Sequence, residues 1–142
     1  MTTPQDLALR DAAVAERWAL AVRHLEEAQA VLAAGVAPLS TVHSAYHAMH
    51  HAARAVLILK ATGPDILGPR QHGQVVQEFG MLIKNGPAAW LQAGRDLNRM
   101  MEERTVADYR TSYIGTSSAA QVAVTKAIMF LELCRTEFGL KP

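Results

Sequence analysis

The stretch ERTVADY, residues 103–109, sets Arg104 and Asp108 four positions apart, where the helical pattern around them calls for apolar side chains. Counting in heptads from Leu97 reaches Arg104, and from Met101 reaches Asp108, so both fall on the stripe that should face a core. Burying such a pair costs several kcal/mol per ion unless further hydrogen bonds satisfy both groups, and apolar residues there would usually hold a fold together as well or better. Two readings stay open. The pair serves a function, or Arg104 ties the end of its helix to the following loop, with Asp108 orienting it and Tyr109 covering both.

A second group lies in HSAYHAMHHAAR, which holds four of the six histidines. At 100° per residue His43, His47, His50 and Arg54 fall within about 60° of one another, with His51 on the flank. Imidazoles one helical turn apart can share zinc, nickel or copper, which makes His43, His47 and His50 candidate ligands. Three features count against a metal. The face lacks Cys, Asp and Glu, Arg54 repels a cation, and nothing resembles the HExxH arrangement. The plainer reading makes these rings amphipathic packing groups at an interface, and no cofactor is expected.

Other catalytic signatures are missing. The nine glycines are scattered, with neither GxGxxG nor GxxxxGK[ST] among them, and there is no GxSxG elbow. Cys134 falls on an apolar helix face, where a buried thiol is expected rather than a nucleophile. Asp96, Glu102 and Glu103 alternate with Arg95 and Arg99, which reads as a solvated face of ion pairs.

The elements that position these groups are all helical. Thr3-Pro4 caps a long first helix whose apolar residues Leu7, Val14, Trp18, Ala21, Leu25, Ala28 and Leu32 recur until Gly35. A second helix is predicted from about Pro38 to Thr62 and a shorter third from about Gln71 to Lys84. The fourth runs from Pro87 to about Tyr109 with Trp90, Leu97, Met100 and Met101 on its apolar side. The fifth starts near Ser117 and places Ala120, Val124, Ile128, Leu131, Cys134 and Phe138 on one face. Short connections make successive helices antiparallel, so residues 1–142 are expected to form a single domain, an all-α, antiparallel up-and-down four-helix bundle with one additional short helix.

Within the second helix, Val42, Tyr46, Met49, Ala53 and Val56 form the core stripe, yet Ala48, Ala52, Ala55 and Leu59 make the opposite side apolar as well. A helix apolar nearly all round is buried on more than one side, and a second copy of the chain is the expected cover. The 142 residues, 50% apolar and 19% charged, suit a globular domain. A formal charge of +1 provides no global electrostatic footprint for nucleic acid or membrane. With one cysteine no intramolecular disulfide can form, and MTTPQDLALRD lacks the pattern of a secretory signal, so a cytoplasmic address is expected. Uncharged apolar runs such as AVLAAGVAPLS stop short of the ~18 residues that span a bilayer, so no membrane partner is expected.

SAYHAMHHAARAVL (44–57) resembles the second helix of small prokaryotic HEPN domain proteins, with a pattern close to S-x-A-Y-Y-A-x-F-H-A-A-x-A-L. QHGQVVQEFG (71–80) and LNRMMEERTVADY (97–109) are similar to that group's His-Gly segment and R-x-x-x-D-Y helix end, in the same order. Ser44, Tyr46, His51, Arg104, Asp108 and Tyr109 match family positions, whereas His47 and His50 stand where Tyr and Phe are usual. The resemblance implies a helical bundle that dimerises and is often paired with a small nucleotidyltransferase in toxin–antitoxin systems. It points to Arg104, Asp108, Tyr109 and His51 as catalytic candidates and to RNA or a nucleotide as a partner. Ser44, Tyr46, His47, His50, Arg54 and His72 are the corresponding binding or interface candidates. Many HEPN ribonucleases carry an arginine followed, after four to six intervening residues, by a histidine, and beyond Arg104 those positions hold Tyr109, Arg110 and Thr111. The resemblance thus favours a module without an intact ribonuclease site. The alternative is a specialised, metal-independent ribonuclease in which His51 or His72 moves the proton beside Arg104. A second alternative is a metal or ligand sensor built on His43, His47 and His50.

Overall fold

A computed structural model of the chain describes residues 3–61, 68–69, 71–107 and 116–140, with the side chains of 104–107 left out of the description. Five helices make up the fold among the described residues: α1 (Pro4–Ala34), α2 (Pro38–Leu59), α3 (His72–Ile83), α4 (Ala88–Ala107) and α5 (Ser117–Glu137). The fold is all-helical, and no strand occurs among those residues.

Local chemistry sets the ends. The Thr3 hydroxyl accepts from the Asp6 backbone N–H at 3.1 Å while the Asp6 carboxylate accepts from the Thr3 N–H at 3.0 Å, and Pro4 needs no donor in the first turn. Gly35 closes α1 in the left-handed region at φ 71°, and its N–H bonds the Leu32 carbonyl. Ala37 is also left-handed, at φ 45°, directly before Pro38. That strained corner links α1 to α2, and the two helices pack against each other. Thr116 caps α5 by accepting from the Ala119 N–H at 3.1 Å.

The second helix lies at the centre and touches each of the other four. Its stripe Val42, Tyr46, Met49, Ala53 and Val56 is buried as the periodicity predicts. Ala48, Ala52 and Ala55 are buried too, within the single chain. This corrects the expectation that a second copy covers them: α1 and α5 pack against α2, and alanine lets the backbones approach closely. Around this axis Phe79 of α3 packs on Phe130 of α5 with ring centroids 5.2 Å apart. Trp90 of α4 meets Phe138, just past α5, at 4.8 Å.

Two further expectations change. On α5 the buried stripe runs through Ala123, Ala127 and Phe130, and Ile128 stands 42% exposed. From Val124 the inward step is three residues, to Ala127, and one residue more rotates a further 100° off the stripe. Second, Ser117–Glu137 is long and apolar enough, by length and composition alone, to cross a membrane, with a mean hydropathy of 1.2. Lys126 and Glu132 interrupt its apolar runs, which is why runs of uncharged residues did not disclose it. In this fold its buried stripe packs against α2. The predicted end of α2 at Thr62 and of α4 at Tyr109 lie outside the described residues.

The carboxylates of α4 form a solvated face only in part: Glu102 is exposed, whereas the side chains of Asp96 and Glu103 are 16% and 30% exposed. Arg99 and Glu103 pair at 3.5 Å one turn apart, and Asp96 accepts from Gln92 at 2.9 Å and lies 3.9 Å from Lys126 of α5.

Candidate functional site: a histidine cluster across three helices

Helical spacing places His47, His50 and His51 on neighbouring faces of α2, with His47 and His51 meeting α1 and His50 meeting α3. His51 stacks on His24 of α1, centroids 5.4 Å apart and planes 4° from parallel, and His47 reaches the same ring at 5.4 Å. His50 stacks on His72 at the start of α3, at 4.1 Å and 10°. Tyr46 lies against His72 at 5.5 Å, and its hydroxyl shares a hydrogen bond with His72 Nδ1. His50 and His51 meet edge to face at 5.4 Å, so a continuous chain of rings runs from α1 through α2 to α3.

Burial and like charge keep key members of this chain neutral. His50 is 3% exposed, and its pKa is pushed from 6.5 down to about 2, by burial first and then by the positive potential of His72, His51, Arg54 and His47. His51 is lowered to about 4, again by burial first, then by His24, Arg17, Arg54 and His47. Both rings are therefore neutral at pH 7. As a proton acceptor at that pH, a group with a pKa near 4 is a weak one.

Of the residues singled out from the sequence, the structure brings together Tyr46, His47, His50, His51, Arg54 and His72. Tyr46 and His50 are buried inside the single chain, and Arg54 is 9% exposed, so none of the three forms an outer interface surface. Ser44, His47 and His72 are half-buried. His43 stays apart from the ring contacts, with its Nε2 buried and lacking a hydrogen-bond partner. Among the described residues, no group of three or more His, Cys, Asp or Glu side chains is placed to hold a metal ion, and the row His43, His47, His50 is no exception. Arg104 belongs to the last turn of α4, its side chain outside the description, and Asp108 and Tyr109 lie outside the described residues.

Sequence reasoning missed His24. The signal was available: His24 lies three residues after Ala21 and four before Ala28, both fully buried, so it belongs on the flank of α1 that faces α2.

Fold and site together define an all-helical module whose central helix carries the polar chemistry. A family model of the HEPN domain matches residues 14–137, and the chain belongs to that family. The match covers the whole ring cluster, from His24 on α1 to His72 on α3. No curated protein and no solved structure matches the chain.

Proposed function

We propose that this HEPN chain is a dimeric interaction module that works with a nucleotidyltransferase, in a toxin–antitoxin-like or other RNA- or nucleotide-related cytoplasmic system, without a ribonuclease site of its own. In this reading α1, α2, α4 and α5 form an antiparallel up-and-down four-helix bundle and α3 is the additional short helix. The observation that carries it is the state of the histidines. Tyr109, Arg110 and Thr111 occupy the positions beyond Arg104 where a ribonuclease would need one, and His50 and His51, which the fold does supply, are held neutral with pKa values of about 2 and 4. With α2 covered from within, Val122 and Met129, one heptad apart on α5 and 52% and 62% exposed, are apolar groups for a second copy to cover. The test is direct. Purified chain should scatter light as a dimer and leave RNA intact in chelator; cleavage that Arg104→Ala abolishes would overturn the reading.

One observation favours a second reading, a metal-independent ribonuclease. The Tyr46 hydroxyl fixes the orientation of the His72 ring, which is how an imidazole is held for proton transfer. In that case His72 moves the proton of the ribose 2'-hydroxyl or of the leaving oxygen, while Arg104 steadies charge on the phosphate. His51 is the weaker candidate because its ring is such a poor base. A rate that falls by about 10² in His72→Ala supports this reading, and unchanged turnover in both His72→Ala and His51→Ala removes it.

A further inference from the structure

His50 is buried on α2, and its Nδ1 has no hydrogen-bond partner. An imidazolium carries two N–H donors, so a charged His50 would bury a donor with nothing to receive it. One face of the ring is covered by His72, and that cover is itself only half-buried. It belongs to the first turn of α3, which is weakly secured. The N-cap Gln71 makes no side-chain bond to the turn, and Gly73 and Gln74 are exposed. The Val75 N–H closes the turn on the Gln71 carbonyl at 2.9 Å. Beyond that bond the helix is anchored by Val75, Phe79 and Ile83, all buried, with Phe79 against Phe130 of α5. We propose that the first turn of α3 is an acid-operated gate, which lifts from α2 as pH falls, ahead of global unfolding, while His50 takes up the proton that holds it open.

The surroundings of His50 act in one direction. Burial opposes its protonation most, followed by His72 of α3 and by His51, Arg54 and His47 of α2, so the closed ring stays neutral down to about pH 2. Helix α1 acts through His51, where His24 and Arg17 add positive potential, and Glu27 sits 3.4 Å from His24. The one acid of α3, Glu78, stands six residues beyond His72, and on α4 the side chains of 104–107 lie outside the description. Once the turn lifts, the ring meets water and returns toward its ordinary value of 6.5. Open molecules then bind a proton that closed ones do not, so opening is favoured as pH falls through that value and disfavoured above it. Lifting the turn also breaks the bond between Tyr46 and His72, which brings the polar side of α2 to the surface. The gate depends on neither reading of the family chemistry.

The experiment is amide hydrogen exchange by NMR on the full chain between pH 7.5 and 5, corrected for the intrinsic pH dependence of exchange. The Val75 N–H reports on the gate, and the Ala52 N–H, in the middle of α2, reports on the whole fold. Val75 should open more often than Ala52 at every pH, and its opening constant should rise about five- to tenfold between pH 6 and pH 5. His50→Phe keeps a ring against His72 and should flatten that rise. His72→Phe keeps His50 and its cover and should retain it. Two outcomes in the parent chain, independent of how any variant folds, overturn the proposal: a Val75 opening constant that does not move with pH, or equal values for Val75 and Ala52 throughout. So does a rise that survives His50→Phe, or one that vanishes in His72→Phe.

Discussion

The rings of His50 and His72 lie face to face, 4.1 Å between centroids and 10° from parallel, joining the middle of α2 to the first turn of α3. Two imidazoles stacked so closely are compatible with at most one positive charge between them at ordinary cost. Burial and the neighbouring positive potential keep His51 neutral in the same way. Neutral rings act here as aromatic packing groups, and this part of the interior is sound only while they stay neutral.

Acid should therefore unlock the fold. The unfolded chain takes up protons on these histidines near pH 6.5, while folded His51 resists until about 4 and His50 until about 2. Over that window the unfolded state binds more protons, so stability is full above pH 6.5 and falls as pH drops, by about 1.4 kcal/mol per pH unit for each imidazole kept neutral. Urea denaturation between pH 7.5 and 4.5 measures this slope, and His50→Phe should make it shallower by one proton. Stability that stays level down to pH 5 would contradict the assignment.

Tyr46 tests the other end of the chain. Its ring is fully buried and its hydroxyl meets His72 Nδ1. Tyr46→Phe keeps the stack and removes only the hydrogen bond, so the expected loss is about 1–2 kcal/mol by denaturant midpoint. Tyr46→Leu, which also loses the ring contacts, should lose more. If the Phe variant matches the parent, the hydroxyl bond contributes nothing.

How much of this was legible beforehand depends on whether a feature is periodic or relational. Val42, Tyr46, Met49, Ala53 and Val56 follow from spacing along one helix, and all are buried. What covers Ala48, Ala52 and Ala55 does not follow, because small residues invite a close neighbour without naming it, and here helices of the same chain bury them. The histidines divide the same way. Their row on α2 is visible in the letters, but the meeting of His51 with His24 depends on the register of α1 against α2, and that of His50 with His72 on the path into α3. Ile128 shows how narrow the margin is: one residue off the stripe put an apolar side chain outside.

Cys134 reports on the integrity of α5. It is fully buried, and burial pushes its thiol well above the ordinary range, so the reactive thiolate is scarce. A disulfide reagent should leave native protein unmodified and react at a rate that follows opening of the α5 contacts, quickening in urea along with unfolding. Fast stoichiometric labelling in native buffer would place the thiol at the surface instead.

The corner between α3 and α4 gives opposite signs for one chemical change. At Gly80, within α3, a Cβ would meet nothing within 4 Å, so Gly80→Ala should stabilise by up to about 1 kcal/mol through helix propensity and lost freedom of the unfolded chain. At Gly86 the same atom would sit 2.5 Å from Trp90 Cε3 and 3.1 Å from the Ile83 carbonyl oxygen, which is backbone. The indole also packs on Phe138, so it cannot yield without opening that contact. Gly86→Ala should therefore cost about 1–3 kcal/mol, as overpacking does, and shift the tryptophan emission. Gly94 falls between, because its Cβ would meet Ile83 Cδ1 at 2.5 Å, the far end of a flexible side chain, and the gain in helix propensity offsets part of the crowding. Melting temperatures of the three variants should rank Gly80→Ala above Gly94→Ala above Gly86→Ala, and the reverse order would mean that α3 and α4 do not meet at this corner.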